Sequence, residues 1–234
     1  MGARITRREA LVAGLGLVAV GCTSGGSQLV DRPRPQWPSA SRPDIDVGEI
    51  IMPTHPQPVE AALNRLGQAI PRSAWTRSGP LVSRVQPMNR IDRITIHHEG
   101  WTPVWFSDRR STASRLEKIR RVHTKDRGWG DIGYHYVIDR GGLVWEGRNH
   151  RYQGAHVRGY NQHNIGLMVL GNFDRQSPTR SQIQALTKTL RDLMHAHGVP
   201  ISRVMTHREL NPTACPGRRL QSRVQVLRRS RHLI

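Results

Sequence analysis

Two cysteines occur in 234 residues, and their settings are unrelated: Cys22 closes an apolar run, whereas Cys215 sits in a proline-bounded loop. A disulfide framework is therefore not what holds this chain together. Acidic side chains are scarce as well, with 17 Asp and Glu against 36 Lys and Arg and a formal net charge of +19. That excess makes nucleic acid, anionic membrane and anionic cell-wall polymers candidate partners without choosing among them. No internal repeat is visible, which argues against a solenoid or propeller. The run A-L-V-A-G-L-G-L-V-A-V near the start is too short to span a bilayer. What length remains suits one domain with its own core, plus extensions.

The first 22 residues read as an export signal. Arg4, Arg7 and Arg8 precede an apolar stretch of the length of a signal-peptide core. The pair Arg7-Arg8 in T-R-R-E-A-L-V resembles a twin-arginine signal. A-V-G-C resembles a bacterial lipobox, with Ala19 where Leu is usual, and Cys22 as the lipidated residue. An N-terminal membrane-anchoring helix or a non-lipidated signal is the alternative. All of these readings place the domain outside the cytoplasm, in the periplasm or cell envelope, and the lipobox makes it a membrane-anchored lipoprotein. Residues 23–58 form a linker, since residues 33–58 hold seven of the fifteen prolines. As polyproline, such a spacer reaches about 110 Å. Residues 59–234 form the domain, opened by a short helix over V-E-A-A-L-N-R-L-G-Q-A.

Within that domain strand and helix signals alternate, as expected for an α/β fold. Ile91 to His97 predicts a strand, and T-A-S-R-L-E-K-I-R-R-V-H a helix with Leu116, Ile119 and His123 along one face. G-Y-H-Y-V-I-D-R-G-G-L-V-W-E-G predicts a hairpin. The near-continuous apolar segment N-I-G-L-M-V-L-G-N-F predicts a central strand. Thr179 to His197 is the clearest helix: Thr179 and Gln182 form a capping box, Ile183, Leu186, Leu190, Leu193 and Met194 line one side, and Gly198 and Pro200 end it. Arg203 to Thr206 predicts a short strand and Leu220 to Leu227 a basic helix.

The segment T-H-R-E-L-N-P-T-A-C-P-G, residues 206–217, brings an imidazole and a thiol onto one irregular loop. His207 and Cys215 are zinc-type donors, and a catalytic zinc takes three protein ligands and keeps its fourth position for water. T-I-H-H-E, with His97 and His98 closing a β-branched run, offers the third.

In order, the segments I-P-R-S-A-W, R-I-T-I-H-H, D-R-G-W-G-D-I-G-Y-H-Y, V-W-E-G-R, G-A-H-V-R-G-Y-N, N-I-G-L-M-V-L-G-N-F and T-H-R-E-L-N-P-T-A-C-P-G cover most of the chain from about Ile70 to Leu227. Together they resemble the peptidoglycan recognition protein and type-2 N-acetylmuramoyl-L-alanine amidase family. The resemblance implies a mixed central β-sheet flanked by helices, with an open cleft and one Zn²⁺ per chain at its floor. It assigns the zinc to His97, His207 and Cys215, and catalytic roles to Tyr134 and Thr213. It also implies the activity: hydrolysis of the amide bond between N-acetylmuramic acid and L-alanine. Two neutral imidazoles and one thiolate would leave the site at +1, favouring a nucleophile at neutral pH.

The same resemblance places His123, Arg127 and His156 where relatives contact a muramyl peptide. Gly128-Trp129 matches the pair associated with meso-diaminopimelate stem peptides. Met168 stands where a branch of recycling amidases has a catalytic Glu, so that general base is absent. The implied partners are peptidoglycan or muramyl peptides, and a membrane through the N-terminal lipid or anchor. One alternative is a binding protein of the same fold that does not cut; the retained Cys215 and Tyr134 favour the enzyme. Another is a nucleic-acid module built on R-R-L-Q-S-R-V-Q-V-L-R-R-S-R-H. The export signal argues against nucleic acid, and those Arg read more simply as a solvated helix face.

Overall fold

The computed structural model describes residues 69–230 and Leu233. The export signal expected to end at Cys22, the linker expected over 23–58 and the helix expected from Val59 lie outside the described residues. Among the described residues, no helix is long and apolar enough to cross a membrane.

Five strands form one mixed sheet in the order β3-β2-β4-β1-β5: β1 (Arg93–His98), β2 (Tyr136–Ile138), β3 (Val144–Glu146), β4 (Asn164–Val169) and β5 (Val204–Thr206). β4 pairs parallel with β1 and β2, β1 pairs parallel with β5, and the β2–β3 hairpin is antiparallel. The apolar segment predicted to be central is indeed the middle strand. Every residue of β4 is buried, as a parallel strand covered on both faces must be.

The period-2 alternation of side chains sends β1 and β4 residues to two different cores. Ile94, Ile96, Ile165, Leu167 and Val169 pack with Leu186, Leu190 and Leu193 of α2 (Arg180–His197) and with Leu220, Val224 and Leu227 of α3 (Arg218–Arg229). Met168 and Val137 face the other side, with Leu116 and Ile119 of α1 (Arg109–Arg121), Trp145 and Trp75. On β1, that second face also receives Thr95 and His97.

α2 begins as its sequence predicts. The Thr179 hydroxyl accepts the Gln182 amide at 3.0 Å, the Gln182 side chain accepts the Thr179 amide at 3.1 Å, and Gly198 closes the helix at φ 64°. α1 starts three residues before the sequence reading, because Asp108 caps it by accepting the Ser111 amide at 2.8 Å. Its far end also differs. Val122–Asp126 widen into a π-helical turn closed by the Arg127 amide donating to the Val122 carbonyl at 3.2 Å. That turn keeps His123 buried with α1's apolar face and hands the chain to Gly128 at φ 68°, a left-handed conformation that glycine adopts without steric cost.

Candidate metal centre

The carboxyl ends of parallel strands are where open α/β sheets place their ligands, and β1 and β5 both end here. β1 delivers His97 at its penultimate position, while β5 stops at Thr206 and the chain turns at once through His207–Glu209. The turn is pinned from below. Glu209 accepts the Thr206 amide at 2.8 Å and pairs with Arg228 of α3 at 2.6 Å. The loop then returns so that the Arg208 amide donates to the Cys215 carbonyl at 3.0 Å, and the Thr213 hydroxyl accepts the Cys215 amide at 3.2 Å.

As a result, one donor atom each from His97, His207 and Cys215 lies within 4.8 Å of the others. His97 Nδ1 and Cys215 Sγ are 3.6 Å apart. Two ligands on a tetrahedral zinc, with usual N and S bond lengths of about 2.05 and 2.3 Å, stand roughly 3.6 Å from each other. The set of two nitrogens and a sulfur suits zinc by softness as well. His98, the other half of the His-His pair, points to the opposite face, where its Nδ1 accepts the Phe173 amide at 3.2 Å. Its backbone amide nonetheless serves the centre by donating to Cys215 Sγ at 3.4 Å.

Electrostatics at the three donors follow from burial. Burial lowers the His97 pKa well below 6.5, reinforced by His156 and His207, and lowers that of His207 too. Burial pushes the Cys215 thiol up to about 12, opposed by the His98 amide and Arg208. Without a metal, this is a pair of neutral imidazoles beside a protonated thiol.

Tyr134 stands against the centre, its ring 5.2 Å from that of His97. Burial, then the nearby Cys215, raises the phenol's pKa, so the hydroxyl keeps its proton at neutral pH. His123 continues this wall, 5.8 Å from Tyr134 and 4.6 Å from Trp129 between ring centres. Its Nδ1 accepts the Gly133 amide at 3.0 Å, and burial with Arg127 and Arg148 lowers its pKa to about 3. Arg127 and Gly128 are exposed, and the Arg127 guanidinium lies 5.0 Å over the Trp129 ring. The structure thus brings His123, Arg127, Gly128 and Trp129 together and joins them to the metal donors through Tyr134. Thr213 is exposed on the Cys215 turn.

His156 is placed differently from its neighbours in this group. Its ring is buried, with Nδ1 3.0 Å from His97 Nε2 and Nε2 3.2 Å from the Asn164 carbonyl, so both nitrogens face protein atoms. The sequence reading had no means of pairing it with His97. Two further contacts were also missed. Glu99, at the edge of the centre, has its side chain enclosed and ion-paired to Arg115 at 2.5 Å, and Met168 is fully buried directly beside His97 in the sheet register. The contact with Met168 is set by the β1–β4 register, which neither strand's own sequence states, and nothing local pointed to Arg115.

The chain is similar to proteins already known. The family model described as N-acetylmuramoyl-L-alanine amidase, Amidase_2, matches residues 87–218, more than half of the chain. Peptidoglycan-recognition protein LE of Drosophila melanogaster is 30% identical over 163 residues, covering 69% of this chain and 46% of that protein. The human N-acetylmuramoyl-L-alanine amidase is 32% identical over 126 residues, 53% of this chain and 22% of that protein. The chain thus spans less than half the length of both. Among solved structures, peptidoglycan recognition protein-LE in complex with tracheal cytotoxin, a monomeric diaminopimelic acid-type peptidoglycan, superposes with a TM-score of 0.64 at 26% identity, covering 72% of this chain and 96% of that one. A matched family model, a superposable fold and homologues named both as amidases and as recognition proteins agree: the chain belongs to the N-acetylmuramoyl-L-alanine amidase family.

Proposed function

We propose that this protein hydrolyses the amide bond between the lactyl group of N-acetylmuramic acid and L-alanine in peptidoglycan, using one Zn²⁺ per chain held by His97, His207 and Cys215. The observation that carries the reading is the convergence of two imidazole nitrogens and a thiol, from chain segments over a hundred residues apart, beside a tyrosine hydroxyl that stays protonated. When bound, zinc supplies Lewis-acid polarisation and a water whose pKa falls from 15.7 to about 7.

This chain's own residues do the rest. The Tyr134 hydroxyl donates to the scissile carbonyl oxygen as negative charge gathers there; a phenol held protonated is a donor, not a general base. Thr213 supports the Cys215 turn through its hydroxyl and belongs to the same catalytic loop. Along the cleft, His123, Gly128 and Trp129 line the stem peptide's path. Arg127, held over the Trp129 ring, is poised for a carboxylate, which fits the extra carboxylate of meso-diaminopimelate. The export signal supports a place in the periplasm or cell envelope, with Cys22 as the lipid tether.

Hydrolysis of a muramyl peptide by the purified protein, with products identified by mass, tests the reading. Free stem peptide bearing an L-alanine amino terminus, lost in Cys215→Ala, is the expected result. Muramyl peptide bound and left intact would make the protein a recognition module instead.

A further inference from the structure

We infer that His156 is a positioning residue for the metal centre: it fixes the tautomer and orientation of His97 so that Nδ1, rather than Nε2, faces Cys215. This rests on the zinc reading given above but is argued from the free protein. The Asn164 carbonyl can only accept, so His156 Nε2, 3.2 Å away, carries its ring's proton. In a buried neutral ring that leaves Nδ1 as an acceptor. Its neighbour at 3.0 Å, His97 Nε2, must therefore donate, which places the His97 lone pair on Nδ1, the atom 3.6 Å from Cys215 Sγ. A metal-ligating imidazole commonly gives its second N–H to an acceptor of this kind, which sets ring direction and raises basicity.

The seat for the His156 ring is built into the sheet. Gly166 of β4 pairs with Thr95, next along the same face from His97, and a Cβ on it would fall 2.6 Å from His156 Cδ2. A Cβ on Gly154 would fall 2.2 Å from the same atom. Two missing side chains thus make the slot. Asn164 is itself fixed, its side-chain amide donating to the Tyr160 carbonyl at 2.7 Å and its Oδ1 accepting the Thr95 hydroxyl at 2.9 Å. Asn161 holds the other side by accepting the His156 and Val157 amides, both at 2.9 Å. The relay from Asn164 through His156 to His97 is anchored at every joint.

Two measurements test it. Long-range proton–nitrogen correlation spectra of the metal-free protein should show both rings protonated at Nε2; a His97 protonated at Nδ1 would overturn the inference, whether or not zinc binds. Zinc affinity, read by chelator competition without substrate, should fall by about 10- to 100-fold in His156→Leu and be largely retained in His156→Asn, which keeps an acceptor. Gly166→Ala should weaken zinc in the same sense while leaving every polar group in place, so a folding defect in one variant does not decide the matter. Wild-type affinity in all three variants would sink the positioning role. A wild-type protein that takes up no zinc would instead sink the zinc reading, and the spectra would still report the tautomer.

Discussion

Cys215 and its two imidazole partners arrive at the centre in different protonation states, and that difference is measurable. At pH 7 the lowered pKa values of His97 and His207 leave no proton to displace, whereas the thiol, held near 12 by burial, still carries one. Zinc uptake at neutral pH should therefore release about one proton per chain from the thiol, plus the fraction lost by a zinc-bound water of pKa about 7. Calorimetric titration in two buffers of different ionisation enthalpy reads this number directly, and zero release would rule out a thiolate ligand. Tyr134 yields a separate prediction. Removing an oxyanion donor costs on the order of 10²–10³ in turnover, so Tyr134→Phe should lose that much kcat with zinc content unchanged. Unaltered turnover would remove the tyrosine from the mechanism.

At the scale of elements, α2 is the most self-contained. Thr179→Ala deletes both halves of the hydroxyl's work, accepting the Gln182 amide and donating to the Arg140 carbonyl at 2.9 Å. A lost N-cap costs about 1 kcal/mol, up to about 2, so the urea midpoint should fall with no change in slope. Leu190→Ala, at a fully buried position in the same core as Ile94 and Ile165, should cost more, about 2–5 kcal/mol. A Thr179→Ala loss as large as that of Leu190→Ala would contradict this division. The contrast also explains what the sequence could reveal. The capping box, Gly198 and the apolar stripe of α2 are local signals and are legible. So are the hairpin around Arg140-Gly141-Gly142 and the central place of β4. The start of α1 was hidden because its first turn, Arg109 to Ser111, is polar, so only Asp108 marked it. The π-helical turn at Val122–Asp126 has no periodic signature at all. In the centre, His97, His207 and Cys215 were legible through motifs. His156 beside His97 was not, because that contact depends on strand register and on the gap at Gly166.

For the whole molecule, the cluster of buried neutral histidines sets the response to acid. His123 and His156 both have pKa values pulled down to about 3, by burial first in each case, against 6.5 when unfolded. The unfolded chain therefore binds more protons than the folded one between these values. Stability contributed by keeping these rings neutral is complete above about pH 6.5 and is lost progressively as pH falls toward 3. The melting temperature of chelator-treated protein should start to drop below pH 6.5, before carboxylates near pH 4 titrate. A melting temperature flat from pH 7 to pH 5 would contradict it.

The formal net charge of +19 bears on what the chain can associate with and not on how it folds. The central claim, zinc-dependent cleavage at the muramyl–L-alanine bond, is tested most directly by titrating zinc into metal-depleted protein while following the release of L-alanine amino termini from a muramyl peptide. Activity rising in proportion to bound zinc and reaching its plateau at one equivalent per chain is the predicted result. Hydrolysis without zinc, or one bound zinc with no hydrolysis, would contradict it.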